Sequence, residues 1–351
     1  MSIVIITGSN GLVGSESVNF FSSKGFDIIG IDNNLRKFFF GIEGSTSWIK
    51  KQIKKQIKKY KHYDLDIRNY RGLEKIFKKY NKSISLIIHC AAQPSHDYGK
   101  NFPILDFNIN ATGTLNLLEL TKIYCSNTPF IFMSTNKVYG DNPNKLEIIE
   151  KKSRYDLNTK NKFYKGIDES LSIDNCTHSF FGTSKTYADL ITQEYGKNVG
   201  LKTVSFRGGC ITGPNHSGAK LHGFLSYLVK STITKRKYSI IGYKGKQVRD
   251  NLHSSDLINC FWEFYKKPKR GAVYNIGGGR FSNCSINEAL NQVESIQKIE
   301  IKRKYVSKNR IGDHIWYITN NNKFKKDFPN WKQVYNSKKI IEELINSEFV
   351  K

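Results

Sequence analysis

Cysteine and proline are scarce in this chain, and neither forms a recognisable framework. The six cysteines among 351 residues are scattered and include no CxxC pair. This spacing argues against a disulfide framework and a zinc site, so no metal is expected and the thiols are predicted to be reduced. The sequence also has only seven prolines and no Pro/Ser-rich stretch. It therefore offers no obvious linker between independent domains.

Long apolar runs are also missing. No segment approaches the length needed to span a bilayer, so no membrane insertion is expected. Met1 leads directly into an apolar strand pattern, so no secretory signal or transit peptide is expected. A hydrophobic content of 38% with 13% aromatic residues is typical of a folded protein. These features predict a cytoplasmic globular protein.

Acidic residues are the third deficit. The chain has 30 aspartates and glutamates against 56 lysines and arginines, which gives a formal net charge of +26. This excess would suit a nucleic-acid binder, because lysine and arginine displace counterions from phosphates. The lysines are spread along the whole chain, however, so we favour a solvated basic surface and do not expect nucleic acid as the partner. The densest cationic segment has Ile49, Ile53 and Ile57 at helical spacing, which predicts a surface helix with one apolar stripe.

The N-terminal segment contains the most informative motif. An apolar run leads into the glycine-spaced turn Gly8-Ser-Asn-Gly-Leu-Val-Gly14, and a helical pattern follows. Such a turn brings backbone N–H groups and a helix N-terminus against a pyrophosphate. A second apolar run ends at Asp32, where a carboxylate accepts hydrogen bonds from an adenosine ribose. The charge of Asp32 would repel a 2′-phosphate, so NAD is expected rather than NADP.

Apolar strand patterns alternate with helical patterns through the first two-thirds of the chain. Strands are predicted at residues 2–7, 27–31, 61–64, 86–90, 130–134 and 203–207, and helices at 11–24, 70–80, 103–124 and 182–198. This alternation predicts an α/β fold with a Rossmann-type, doubly wound parallel sheet, and ligands over the carboxyl ends of its strands. After residue 214 the pattern becomes shorter and less regular. We therefore divide the chain into an NAD-binding domain, residues 1–214, and a smaller C-terminal α/β substrate lobe, residues 215–351.

Polar or small residues follow several of these strands, as a nicotinamide site requires. Asp66 comes after the third strand and is predicted to accept a hydrogen bond from the adenine amino group. Ala91 and Ala92 follow the fourth strand, where small side chains let the cofactor pass closely. The fifth strand ends in two adjacent hydroxyls, of which Thr135 is the second, and a later helix carries Lys185 near its start.

With these motifs the chain resembles the extended short-chain dehydrogenases/reductases, in the group of nucleotide-sugar epimerases and dehydratases. The similarity to the group covers essentially the whole chain and includes Gly113-Thr-Leu-Asn-Leu-Leu118 and Tyr274-Asn-Ile-Gly-Gly278. Within the group the chain most resembles the CDP-paratose 2-epimerase (tyvelose epimerase) branch. That similarity rests on Ser134-Thr-Asn-Lys-Val-Tyr-Gly-Asp141 and Gly242-Tyr-Lys-Gly-Lys-Gln-Val-Arg-Asp250.

The resemblance implies an activity and a set of roles. The expected reaction inverts C2 of a CDP-linked hexose by transient oxidation with NAD and return of the hydride to the other face. Thr135 matches the hydroxyl that bonds the reacting sugar oxygen, and Lys185 matches the lysine that bonds the nicotinamide ribose. Arg249 and Arg310 match positions that bind the diphosphate in the family. The predicted substrate-binding residues are Thr135, Asn136, Lys137, Arg249 and Arg310. The predicted cofactor-binding residues are Gly8, Asn10, Gly11, Leu12, Val13, Gly14, Asp32, Asn33, Asp66, Ile67, Ala91, Ala92, Asn110 and Lys185.

One position departs from the family pattern. A tyrosine four residues before the lysine normally transfers the proton, and this chain has Phe181 there. Three explanations stay open: a histidine takes over the transfer, a water ordered by Thr135 and Lys185 serves instead, or the protein binds nucleotide sugars without turnover. We favour an active enzyme, because the other features of the redox site are present. The predicted catalytic residues are Thr135, Lys185, His96 and His178.

Two alternative functions remain at this point. The nearest is another nucleotide-sugar 4-epimerase or a 4,6-dehydratase. Dehydration requires a carboxylate beside the hydroxyl, whereas Asn136 and Lys137 follow Thr135. The other alternative is a non-catalytic dinucleotide- or RNA-binding member of the fold, which Phe181 and the positive charge motivate. The family resemblance also implies a homodimer or a homotetramer.

Overall fold

Strands and helices alternate along the first half of the chain in the computed structural model, which describes residues 2–217, 223–309 and 312–347. The strands are β1 (Ile3–Thr7), β2 (Asp27–Ile31), β3 (Tyr60–Tyr63), β4 (Ile84–His89), β5 (Phe130–Thr135), β6 (Ile148–Glu150), β7 (Tyr155–Leu157), β8 (Thr203–Gly208), β9 (Cys210–Thr212), β10 (Tyr238–Ile241), β11 (Val248–His253), β12 (Ala272–Ile276), β13 (Asn283–Ser285), β14 (Arg303–Val306) and β15 (Trp316–Tyr317). The helices are α1 (Leu12–Ser23), α2 (Arg36–Phe40), α3 (Ser47–Gln56), α4 (Tyr70–Tyr80), α5 (His96–Asn101), α6 (Pro103–Phe107), α7 (Gly113–Tyr124), α8 (Ser179–Lys197), α9 (Phe224–Ile233), α10 (Ser254–Lys266), α11 (Ile286–Gln297), α12 (Asn322–Asp327) and α13 (Ser337–Asn346).

Seven of these strands form one sheet in the order β12-β8-β5-β4-β1-β2-β3. β1 pairs in parallel with both β2 and β4, and the parallel pairing continues from β2 to β3 and from β4 to β5. The chain therefore builds the sheet outward from β1 in one direction and then returns to build it in the other. This reversal beside β1 is the switch point at which doubly wound folds bind ligands. The predicted Rossmann-type α/β fold is confirmed.

The central strands are apolar along their whole length because helices cover both faces of the sheet. Every residue of β1 is buried, and the core around it includes Ile5, Ile87, Leu117 and Phe130. The cationic segment forms the predicted surface helix as α3, but Ile57, the third residue of the predicted apolar stripe, is only half-buried and lies just after the helix ends. Its Ile49 and Ile53 are buried while most of its lysines are exposed. No helix in the described ranges is long and apolar enough to cross a membrane.

The chain divides into two compact units, each composed of three segments. The first unit comprises the chain up to Val138, Phe180–Arg207 and Ile258–Tyr274. The second comprises Tyr139–Ser179, Gly208–Leu257 and the chain from Asn275. The units therefore differ from the contiguous division predicted at residues 214 and 215. The physical reason is that residues 258–274 return to the large sheet, where α10 and β12 complete the edge beyond β8.

The second unit has its own small sheets and its own core. β11 pairs with β13, β15 and β9, while β10 pairs with β14 and β6 with β7. Its core includes Leu228, Ile240, Leu290 and Ile341. Helix α11 begins with a capping box in which Ser285 and Glu288 exchange hydrogen bonds with each other's backbone N–H, so its start is well defined.

Candidate active site

The turn after β1 is shaped by glycines with different tasks. Gly8 has a φ of +67°, and a Cβ there would lie 2.7 Å from the backbone nitrogen of Ala91. A Cβ at Gly14 would overlap the carbonyl oxygen of Gly8, so this glycine lets α1 start directly against the turn. A Cβ built at Gly11 would meet only one atom of the described neighbouring residues within 4 Å, the Gly8 carbonyl oxygen at 3.3 Å. The space above Gly11 is therefore open on the side where a pyrophosphate would approach.

The first turn of α1 presents backbone donors to the same space. The helix begins at Leu12, and its N-cap Gly11 supplies no capping side chain. The N–H groups of the first turn therefore have no intrahelical acceptors, which is the usual anion site at a helix N-terminus. Asn10 is buried, and its Oδ1 finds no hydrogen-bond partner within the described ranges. These residues fit a dinucleotide, which would satisfy Asn10 and the N–H groups of Leu12 and Val13.

Asp32 lies at the end of β2 and is held by the same turn. Its carboxylate accepts hydrogen bonds from the backbone nitrogens of Asn10, at 3.0 Å, and Asn34, at 2.7 Å. Burial raises the pKa of Asp32, and these hydrogen bonds oppose that rise. The carboxylate is thus fixed beside the glycine turn, as expected of a group that accepts hydrogen bonds from the adenosine ribose.

The structure brings Asn33 and Asp66 together. Asn33 Nδ2 donates to Asp66 Oδ2 at 3.0 Å, and Arg68 Nη2 donates to the same oxygen at 2.7 Å. Burial favours the neutral form of Asp66, but the hydrogen bonds and charge of Arg68 outweigh it, and the pKa is lowered. Asp66 is not the cap of α4, because Asn69 accepts the capping bond from Gly72. Its oxygens therefore carry negative charge at the adenine end of the predicted cofactor site.

Ile67 is a packing residue in this part of the sheet. It is buried, and a Cβ at Gly113 would lie 2.5 Å from its Cδ1. The glycine thus lets α7 approach the loop after β3. Ala91 and Ala92 are half-buried after β4, and the Ala91 nitrogen donates to Thr7 Oγ1 at 3.3 Å. This bond fixes the start of the segment that crosses the glycine turn.

Asn110 is the centre of a buried polar network. The predicted helix over residues 103–124 is interrupted by a π-helical turn, Asn108–Thr112, which contains it. Asn110 exchanges hydrogen bonds with the backbone of Gln93 and donates to Ser184 Oγ at 3.0 Å. Asp106 accepts from Gln93 Nε2 and from Ser184 Oγ, each at 2.5 Å. The network ties the segment after β4 to α8, and π-helical turns often mark functional sites.

The sequence did not identify most of this network. Gln93, Asp106 and Ser184 are buried but were not predicted as site residues. The available signal was a polar residue within an apolar stretch, such as Asp106 in Ile104-Leu-Asp-Phe107. Burial raises the pKa of Asp106, against hydrogen bonds from Ser184 and Gln93 and the charge of Lys185.

Thr135 ends β5 and is half-buried. Its Oγ1 accepts a hydrogen bond from the backbone nitrogen of Lys137 at 3.2 Å and lies 3.5 Å from Asn136 Oδ1. Asn136 is buried and Lys137 half-buried. The three predicted substrate-binding residues therefore form one tight turn, and backbone donation fixes the Thr135 hydroxyl.

Lys185 lies on α8 and is almost completely buried, with 4% exposure. Its Nζ donates to the carbonyl oxygen of Met133 at 2.8 Å and lies 4.1 Å from the ring centroid of Phe132. Burial lowers the pKa of Lys185 to about 8. Helix α8 thus holds a desolvated ammonium against β5, two residues before Thr135.

Phe181 is buried one helical turn before Lys185, and His96 contacts its ring. The two ring centroids are 5.1 Å apart with an edge-to-face angle of 76°. His178, the other histidine candidate, belongs to the second unit. There its ring nitrogens lie 3.6 and 3.7 Å from Cys176 Sγ. The ring contact with Phe181 makes His96 the histidine candidate that the first unit itself places beside this residue.

Arg249 lies on β11 of the second unit and is buried to 9% exposure. Its Nη2 donates to Asp313 Oδ1 and its Nη1 to the carbonyl oxygen of Val248. The side chain is thus held by an ion pair that the sequence analysis did not include. Arg310, the second predicted diphosphate ligand, lies outside the described residues.

A further hydrogen-bonded chain lies beneath the glycine turn. Ser9 Oγ lies 3.1 Å from Tyr60 Oη, which lies 3.0 Å from His62 Nδ1. Burial lowers the pKa of His62 to about 4, and the charges of Lys50 and Lys54 act in the same direction. A neutral imidazole therefore supports the turn through Tyr60. Sequence patterns do not indicate this connection, because it joins the glycine turn to β3, about 50 residues further along the chain.

Known proteins are similar to this chain in sequence and in fold. The model of the NAD dependent epimerase/dehydratase family matches residues 4–277. The chain belongs to this family. The match confirms the predicted family and enzyme class and NAD as the cofactor.

Several similar proteins are named as nucleotide-sugar epimerases. The chain is 32% identical to a CDP-paratose 2-epimerase of Salmonella typhi over 306 residues, 85% of this chain and 86% of that protein. It is 26% identical to a UDP-glucuronate 4-epimerase of Thermodesulfobacterium geofontis, over 88% of this chain and 84% of that protein. Its fold is similar to that of Bifidobacterium longum UDP-glucose 4-epimerase, solved with NAD+ and UDP. That likeness has a TM-score of 0.80 at 21% identity and covers 99% of this chain and 98% of that chain.

Proposed function

We propose that this protein is an NAD-dependent epimerase that inverts C2 of a CDP-linked hexose. The observation that carries the proposal is the sequence similarity to the Salmonella typhi CDP-paratose 2-epimerase over most of both chains. The turn at Thr135 and the buried Lys185 support it, because they supply a hydroxyl and a cation of the kind that the reaction needs. NAD and a nucleotide sugar are the implied ligands.

The residues of the chain have distinct tasks in this proposal. The nicotinamide, when bound, takes the hydride from the sugar carbon and returns it to the opposite face. Thr135 Oγ1 hydrogen-bonds the sugar oxygen that loses and regains a proton. The Lys185 ammonium binds the nicotinamide ribose and favours negative charge on that oxygen. Arg249 binds the diphosphate with the N–H groups that its bonds to Asp313 and Val248 leave.

The proposal is tested by incubating the purified protein with NAD and CDP-paratose and by following C2 inversion with NMR. Conversion toward an equilibrium mixture of the two C2 epimers is expected. UDP-glucose and UDP-glucuronate serve as comparison substrates, because relatives of the chain carry those names. Inversion of C4 in either of them, with no reaction of CDP-paratose, would favour the 4-epimerase alternative. The dehydratase alternative lacks support at Thr135, since no carboxylate follows it directly in the sequence.

A non-catalytic role is the alternative from a different class, and Phe181 is the observation that favours it. A binding-only protein would copurify with NAD but would reduce none of it when nucleotide sugars are added. Salt-dependent binding to RNA would support the nucleic-acid version of this alternative. A cytoplasmic location stays a prediction.

We also propose that the protein is a homodimer, formed through an apolar face of the first unit. The face consists of Ile104, Phe107, Phe180, Tyr187 and Leu190, which are exposed by 36 to 78%. The ring centroids of Phe107 and Tyr187 are 5.8 Å apart, so α6 and α8 contribute to one continuous surface. In a chain of net charge +26, these five uncharged side chains suit contact with a second copy, because like charges elsewhere would repel.

A further inference from the structure

Phe181 leaves the proposed reaction without its usual proton carrier. The residue is buried at 7% exposure, one helical turn before Lys185. A phenyl ring can neither accept nor donate a proton. An active epimerase of this family therefore needs another proton carrier near this ring, and this requirement rests on the proposed function.

Helix α5 packs directly against the start of α8. A Cβ at Gly99 would lie 3.0 Å from the backbone nitrogen of Phe181 and 3.3 Å from its Cβ. The glycine therefore lets the two helices approach at this point. Ser95 caps α5 by accepting from the Tyr98 nitrogen, and its own nitrogen donates to Gln93 Oε1. The first residue of α5, His96, is thus held in place by the buried network described above.

His96 is the titratable side chain that this packing brings to Phe181. Its ring contacts the phenyl ring edge to face, with 5.1 Å between centroids, and it is half-buried. The other ionisable groups of the first unit near this point have different partners. Asp106 accepts hydrogen bonds from Gln93 and Ser184, and Lys185 donates to a backbone carbonyl oxygen. We propose that His96 transfers the proton of the sugar hydroxyl, in the role that a tyrosine has elsewhere in the family.

The proton and electron balance of this step is simple. A neutral ring nitrogen of His96 takes the hydroxyl proton while the C2–H bond breaks and its hydride passes to the nicotinamide, which leaves a carbonyl at C2. In the second half of the reaction the hydride returns to the other face of C2, and the imidazolium gives its proton back to the oxygen. His96 therefore ends each cycle neutral, and the Lys185 ammonium keeps its proton throughout.

The test compares His96→Asn with the wild type on whichever nucleotide sugar the wild type converts. A general acid/base contributes about 100- to 10,000-fold to rate, so kcat is expected to fall by at least about 100-fold. KM and the Kd for NAD are expected to change by less than about threefold, since His96 acts on a proton rather than on binding. Asp97→Asn changes the exposed neighbour on the same helix and is expected to leave kcat within about twofold.

A rescue experiment distinguishes proton transfer from a structural role. The double variant His96→Asn/Phe181→Tyr restores the family's usual phenol one helical turn before Lys185. Its kcat is expected to be at least about tenfold higher than that of His96→Asn. The acidic limb of the wild-type pH profile, where the imidazole must lose its proton, is expected to move in this variant. His96→Gln serves in place of His96→Asn if thermal melting shows that the asparagine variant does not fold.

Each outcome decides the proposal. A His96→Asn or His96→Gln enzyme that keeps more than a third of the wild-type kcat overturns it. A double variant with no recovery overturns it as well, because lost packing would then explain the defect. If the wild type converts a UDP-sugar but not CDP-paratose, the proposed substrate is wrong while the comparison at His96 still applies. A wild type that converts no nucleotide sugar contradicts both proposals.

Discussion

Two buried cations are candidate site residues, Lys185 in the first unit and Arg249 in the second, and their immediate surroundings differ. Lys185 has a carbonyl oxygen and an aromatic ring as close neighbours, but burial favours the neutral form of the amine and lowers its pKa. Arg249 is paired with the Asp313 carboxylate. The charge of the lysine can therefore respond to pH, whereas the role we propose for the arginine is to bind the diphosphate.

The pH dependence of turnover follows from Lys185. Burial lowers its pKa from 10.5 to about 8, so the ammonium is present below about pH 8 and is lost as the pH rises through that value. We expect kcat/KM to fall on the alkaline side with a midpoint near pH 8. In Lys185→Arg the charge persists to a far higher pH, so the residual activity should lack this limb. An alkaline limb at the same pH in both enzymes would contradict this role.

Sequence motifs indicate candidate site residues but not the partners of their side chains. Thr135, Lys185 and Asp32 stand in motifs with strong local patterns. Their neighbours come from distant positions: Ser184 meets Asp106 across 78 residues, and Arg249 meets Asp313 across 64. Side-chain pairs of this kind have no periodicity that a sequence can display. Only the fold brings them together.

At the scale of elements, the glycine turn separates two functions that the motif alone does not distinguish. Gly14 permits contact between α1 and the turn, whereas Gly11 leaves space for a ligand. Element boundaries were also predicted unevenly. The strong strands differ from prediction by two residues or fewer, but the helix over residues 103–124 contains a π-helical turn. That turn depends on the buried Asn110 network, which tertiary contacts create.

Alanine substitutions at the two glycines should therefore have different effects. Gly14→Ala places a Cβ on the Gly8 carbonyl oxygen, so loss of both stability and NAD binding is expected. Gly11→Ala is expected to lower the free energy of unfolding by less than about 1 kcal/mol, the usual range for an N-cap change. It is expected to raise the Kd for NAD at least about tenfold, because the Cβ occupies the space open to the pyrophosphate. Calorimetric titration and thermal melting measure both. Equal loss of stability in the two variants would contradict the assignment.

Helix α8 is attached to the sheet by a buried ion pair. Asp189 accepts from Arg207 Nη2 at 2.8 Å and from Ser134 Oγ at 2.5 Å, and Asp189 is fully buried. Asp189→Asn leaves the guanidinium without its charge partner, so a loss of about 3–5 kcal/mol is expected in urea denaturation. The control is Asp64→Asn, which removes an exposed ion pair with Lys50 at 3.4 Å. This substitution should lower the free energy of unfolding by less than about 1 kcal/mol. Similar losses in both would count against this account.

At the scale of the whole molecule, the chain crosses between its two units several times, and this explains why a single domain boundary could not be predicted. Composition changes little at Val138 or Ile258, where crossings occur. The pattern near residue 215 does become less regular, but β12 later rejoins the large sheet. Which strand completes a sheet edge depends on packing across the chain rather than on local pattern.

The proposed homodimer is testable by sedimentation at micromolar concentration. The wild type is expected to sediment as a particle of twice the chain mass of 40.3 kDa. The double variant Phe107→Glu/Leu190→Glu places charges on the apolar face and should sediment as the monomer with an unchanged thermal midpoint. Phe281→Glu, at another exposed aromatic residue, is the control and should stay dimeric. A monomeric wild type would contradict the proposal.

The central claim, that the sugar is oxidised and reduced at the same carbon, is tested most directly by running the reaction in D2O. The protein with NAD is incubated with CDP-paratose, and the C2-inverted product is examined by mass spectrometry and proton NMR. Transient hydride transfer keeps the original hydrogen, so the product is expected to carry protium at C2. Deuterium at C2 would mean that inversion proceeds through a carbanion, and this result would contradict the account.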